Sequence, residues 1–164
     1  MDRIFELLLN GPPEMADKTA TTGGITMLVI VLIATAVFLY LFSKLKGNWH
    51  KHYATLLLVV FIFEVFTSPM WVNNHFTPFG YAYQDVSWVL TMGWATLMLS
   101  IVVLVDYYFN TVAAWKRFLA YIAGMSILGF LGEMLVVNLG LREYAPEVTE
   151  VLTGIYIFNT PIDA

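Results

Sequence analysis

The sequence predicts an all-α fold: a polytopic transmembrane helix bundle with four full spans, a fifth begun at the C-terminus, and a short N-terminal interfacial helix. Three observations carry this expectation. Of the 164 residues, 59% are hydrophobic and only 12% charged, whereas a soluble domain carries about 25% charge. The charges are gathered into short islands. Between those islands lie four apolar stretches, near residues 25–42, 53–70, 86–109 and 118–139, close to the roughly 20 residues that cross a ~30 Å hydrocarbon layer.

The elements follow in order. In residues 1–24, Asp2, Glu6, Glu14 and Asp17 outnumber Arg3 and Lys18, the wrong polarity for a signal peptide. The apolar run at residues 4–9 is too short to span and is stopped by Asn10-Gly11-Pro12-Pro13. It reads as a helix lying on the outer surface. The transmembrane domain is expected over residues 25–164. A fifth span is expected to begin near Val151; only 14 residues follow to Ala164, which predicts a chain that stops inside a helix and a natural protein that continues.

Basic residues set the orientation. Lys44, Lys46 and Lys51 follow the first span, and Lys116 and Arg117 follow the third. The other side has only Arg3, Lys18 and Arg142, among acids that include Glu143, Glu147 and Glu150. The expectation is a multi-pass protein of the cytoplasmic (inner) membrane with its N-terminus outside. Trp49, Tyr53, Tyr108 and Trp115 would mark the inner interface, and Trp71, Tyr81, Tyr83, Trp88 and Tyr144 the outer one. A weak internal repeat relates about 45–110 to 114–164. Glu64 and Glu133 lie 69 residues apart, and each falls roughly 10 Å below an outer helix end at 1.5 Å per residue.

Those two acids are the candidate centre, because hydrocarbon tolerates an ionisable group only when it is paired, faces protein, or works. Thr67, Ser68 and Trp71 share a face with Glu64 at helical offsets, and the hydroxyls are expected to bond the carboxyl or cap their own backbone. Pro69 frees a carbonyl nearby. Gly129 and Ser126 stand below Glu133, with Gly132 beside it and Ala120 and Gly124 as a small-residue pair. The expected arrangement is a shared interior pocket holding uncharged carboxyls; the alternative is a neutral carboxyl bonded across a helix interface. Asp163 joins them at depth if span five enters near Val151, or is an N-terminal acid if the helix starts at Pro161.

Other chemistries find little support. Zero cysteines exclude disulfides and thiolate chemistry. His50 and His52 lack a carboxylate or thiolate partner for a metal, and His75 is placed on the opposite side. No metal or other cofactor is evident. The net charge of −4 carries no basic stripe, so nucleic acid is not an expected partner.

Residues 154–163, Gly-Ile-Tyr-Ile-Phe-Asn-Thr-Pro-Ile-Asp, resemble the signature of the membrane-embedded lycopene cyclase domain, the heterodimeric or fused carotenoid cyclase type. Glu133, Gly140, Tyr144 and Pro146 stand where that family places an acid, a glycine, an aromatic and a proline, and Trp115-Lys116-Arg117-Phe118 is similar to its helix entry. The family's paired acids appear here as Asp163 and Ala164, so one carboxyl is absent. The resemblance implies acid-initiated polyene cyclisation, a non-redox isomerisation. Glu133 would donate the proton, Asp163 would supply counter-charge, and Glu64 would complete the acidic set. Phe130, Tyr156 and Phe158 would face the cation, Asn159 would orient a carboxyl, and Gly129 and Pro161 would shape the substrate site. Loss of the second acid points to the alternative: a non-catalytic carotenoid- or lipid-binding protein, or an accessory subunit of a larger membrane complex. A small proton-coupled carrier is the third reading. Expected partners are the bilayer, a hydrophobic isoprenoid ligand, and other membrane subunits or further copies of the chain.

Overall fold

The computed structural model describes residues 16–44 and 47–161. The expected N-terminal interfacial helix, and Asp163 with Ala164, lie outside the described residues. Four helices are long and apolar enough to cross a membrane. They are α1 (Thr22–Ser43), α2 (Trp49–Thr67), α3 (Trp88–Tyr108) and α4 (Ala114–Asn138).

Each terminus has a local cause. The Thr21 hydroxyl caps α1 by accepting from the Gly24 amide at 3.2 Å. Pro69 ends α2 in a 3-10 turn, Ser68–Met70. A proline cannot donate to the carbonyl four residues back, and here the Ser68 hydroxyl donates to that Val65 carbonyl at 2.9 Å instead. Thr67 likewise donates to the Phe63 carbonyl at 2.6 Å, so both hydroxyls cap their own backbone and neither reaches Glu64. At the end of α4, Gly140 adopts φ 67, a left-handed value that glycine tolerates. The Leu141 amide then bonds the Val136 carbonyl and the Gly140 amide bonds the Val137 carbonyl. This paired closure, with Leu141 and Val136 both in the core, turns the chain sharply back.

α3 is the centre of the bundle: α1, α2 and α4 each pack against it and little against one another. Half of its most apolar stretch is buried, against 6% for α4. Gly93, Ala95, Thr96 and Ser100 keep the surface of α3 low, so neighbours approach closely. The outer faces of α1, α2 and α4 present Ile33, Phe66 and Ile127, each at least 60% exposed. In water such faces would be unfavourable; in a bilayer they are the lipid surface.

One end of the bundle is capped by short antiparallel strand pairs. β1 (Trp71–Asn73) pairs with β4 (Arg142–Tyr144), and β2 (Tyr81–Tyr83) with β3 (Val86–Ser87). Residues 16–21 lie across this cap: the Ala16 amide donates to Asp85, the Asp17 amide to Asn74, and the His75 amide to the Asp17 carbonyl. Val31, Phe76, Val89, Leu90, Val136 and Leu141 form a core beneath it.

After β4 the chain departs from expectation. A helix of one turn, α5 (Pro146–Thr149), is followed by a turn and the hairpin of β5 (Tyr156–Ile157) with β6 (Thr160–Pro161). No helix begins near Val151. Phe158 and Asn159 take left-handed φ values of 46 and 62, which close a two-residue hairpin loop and are incompatible with a helix through this segment.

Candidate functional site

The side chains of a strand alternate between faces, and the register of β1 with β4 uses this. Trp71 lies opposite Tyr144, and Asn73 opposite Arg142, so all four project from one side of the ribbon. That side meets Glu64, near the end of α2, and Glu133, near the end of α4. The Arg142 guanidinium is the hub. Its Nε donates to Asn73 Oδ1 at 2.8 Å, its Nη1 to Glu133 Oε2 at 3.1 Å, and its Nη2 to Glu64 Oε1 and Oε2 at 3.1 and 3.3 Å. The Trp71 ring lies under it, 4.7 Å from ring centroid to guanidinium carbon. Tyr144 donates its hydroxyl to Glu133 Oε1 at 2.8 Å.

The side chains of Arg142 and Glu64 are each 3% exposed. Withdrawing such charges from water costs several kcal/mol each, which only close pairing offsets. For Arg142, burial works against the charge, but Glu64 and Glu133 outweigh it and hold the guanidinium above its ordinary pKa. Burial, then the charge of Glu133, also raises the Tyr144 phenol, against the smaller pull of Arg142. Tyr144 thus keeps its proton and acts as a donor.

The structure brings Glu64 and Glu133 together, as expected, but through a cation that the sequence reading placed merely among surface charges. They form an ion-paired set in place of two uncharged carboxyls around a pocket. The signal that could have found it was the lone Arg142 at the offset from Glu133 that matches Asn73 from Glu64: both lie nine residues on. Trp71 and Tyr144, expected at the water interface, turn inward to serve this cluster, and Tyr81 donates its hydroxyl to the Asn73 carbonyl at 2.8 Å. Burial first, then the charges of Asp85 and Asp17, bring the Tyr81 phenol up to about 12, against the lowering effect of a backbone hydrogen bond at Phe76.

The remaining candidates are dispersed. Asn159 donates to Asn138 Oδ1 at 3.0 Å, and Asn138 donates to the Phe158 carbonyl at 2.6 Å, so Asn159 pins the hairpin to α4 and orients no carboxyl among the described residues. Tyr156 and Phe158 are 49% and 73% exposed on that hairpin, and Pro161 is buried in β6. Phe130 is half-buried on α4. Gly129 and Gly132 lie against the Trp94 ring of α3, which a Cβ on either would meet at 3.9 and 3.1 Å. No group of three or more potential metal ligands occurs among the described residues.

A second feature lies between α1, α3 and α4. A cleft of about 380 Å³ is lined by Met27, Val31, Phe38, Trp94, Leu97 and Leu135, among others. Gly132 lets the flat Trp94 ring form its wall, and Gly93 faces Val31 of α1. The polar side-chain atoms among its lining residues are the hydroxyls of Thr35, Thr96 and Ser100 and the indole nitrogen of Trp94. Because α1 and α4 scarcely touch, the cleft opens sideways between them, toward the apolar surroundings of the bundle. Compared with family models, curated proteins and solved structures, the chain matches none.

Proposed function

We propose that this membrane protein binds an apolar, isoprenoid- or lipid-like molecule in the cleft between α1, α3 and α4, as a non-catalytic binding protein or subunit. The observation that carries this reading is the cleft itself: an almost wholly apolar space within the usual size of ligand sites, opening laterally. No charged side chain lines it to hold an ionic ligand. The strand-capped end is assigned to the outside of the cytoplasmic membrane, because Lys44, Lys51, Lys116 and Arg117 sit at the other end.

The cyclisation implied by the family resemblance fits less well. It asks a carboxyl to release a proton onto a polyene, while both oxygens of Glu133 are engaged as acceptors. The carrier reading meets the same obstacle, since Glu64 and Glu133 are tied to one cation.

Purification in a mild detergent, followed by solvent extraction and mass spectrometry, tests the proposal. A polyene or prenyl lipid should co-purify at about one per chain, and Ala34→Phe, which fills the cleft from α1, should remove it. Equal recovery from the wild type and this variant would refute the assignment. Ring-closed product from an added acyclic polyene would restore the enzymatic reading.

A further inference from the structure

The hydroxyls at the floor of the cleft can be accounted for proton by proton. Thr96 donates to the Met92 carbonyl at 2.8 Å, which spends its single proton. In the Thr35–Thr96 contact of 3.0 Å the donor must therefore be Thr35. Tyr53, 3.4 Å from the same Thr96 oxygen, is by the same reasoning its second donor. Ser100 donates to the Thr96 carbonyl at 2.7 Å. All three protons are committed to the protein. Thr35 and Ser100 both line the cleft, and among the described residues neither oxygen accepts a hydrogen bond. What they offer a guest is acceptor lone pairs alone.

A hydrocarbon leaves those lone pairs unmatched, and a ketone, ester or ether brings only more acceptors. We infer that the cleft selects a long-chain or prenyl alcohol from the bilayer, with its chain along Trp94 and its single hydroxyl proton donated to the oxygen of Thr35 or of Ser100. Thr35 is 3% and Ser100 7% exposed, so a bond formed there is sheltered from water and from competing donors. Occupancy of the cleft is the reading proposed above, and this inference rests on it while adding the chemistry of the guest's end group.

The two are separable by titrating the detergent-solubilised protein with geranylgeraniol, its methyl ether and phytane. Binding is read from the change in tryptophan emission that disappears in Trp94→Phe. The alcohol should bind about five- to tenfold more tightly than either comparator, the worth of one net hydrogen bond. Thr35→Val with Ser100→Ala should erase that preference and leave phytane binding unchanged. Because Thr35 also donates to Thr96, Ser100→Ala alone serves as the milder variant and should reduce the preference. Equal binding of all three compounds would overturn the alcohol inference while leaving an apolar-ligand site intact. Failure of all three to bind would overturn both.

Discussion

Replacing Arg142 with methionine removes a cation and leaves two carboxyls, one of them in a side chain only 3% exposed, with nothing to balance them. Arg142 supplies three donor nitrogens to Asn73, Glu64 and Glu133. At ~4 Å between charge centres and an effective dielectric near 20, each attraction is worth ~4 kcal/mol before desolvation is subtracted. Breaking a buried pair by removing one partner typically costs about 3–5 kcal/mol, and that is the expected loss for Arg142→Met. The decisive comparison is the triple variant Arg142→Met, Glu64→Gln, Glu133→Gln. With no charge left to strand, it should recover to within about 2 kcal/mol of the parent, because an intact buried ion pair adds little over a neutral replacement. Both are measured by reversible unfolding in mixed detergent micelles, followed by helicity. If the single variant loses less than about 1 kcal/mol, or the triple is as unstable as the single, the ion-paired account of this cluster is wrong.

Further outcomes follow from other parts of the chain. Gly24→Ala would drive a Cβ into the His75 carbonyl oxygen; backbone must move, and a loss of about 3 kcal/mol is expected, seen as a lowered melting temperature. Tyr144→Phe removes one hydrogen bond to Glu133 and should cost about 1 kcal/mol in the same unfolding assay. Phe158→Gly relieves a left-handed backbone value at an exposed position and should stabilise the hairpin by about 1 kcal/mol, read from slower amide exchange over residues 156–161. Bonds from the Thr19 side chain and amide hold the Asp17 carboxyl below its ordinary range. Its contribution to docking residues 16–21 is therefore present above that ordinary range and lost as pH falls through the depressed value. Faster amide exchange at His75 in acid, absent in Asp17→Asn, checks this.

The four spans were legible because span length and apolar content leave few alternatives in hydrocarbon, and the helices found begin and end within a few residues of those expected. The meeting of Glu64 with Glu133 was legible in outline from their matched depth. The manner of their meeting was not. It depends on the pairing of two three-residue strands at the ends of different helices, and such a register is fixed by long-range contact, with no local hydrophobic period to announce it. The hairpin of β5 and β6 was missed for a related reason: the stretch after Val151 is apolar enough to suggest a helix, while the extended pair at residues 156–161 is set by the turn at Phe158 and Asn159. The cleft was invisible for a third reason. Gly132 was noted as a small residue beside Glu133, but which ring would fill the space above it required the position of Trp94.

The placement of α3 also bears on how this chain can vary. With three helices resting on one shaft, exchanges among aliphatic residues on the outer flanks of α1, α2 and α4 meet only lipid tails and leave the assembly unchanged. A larger residue at Gly93 presses on Val31 of α1, and one at the fully buried Ala95 has no free surface to enter. Saturation mutagenesis should therefore trace a single intolerant stripe down α3, flanked by three permissive sectors, with intolerance spreading beyond it only at the strand-capped end.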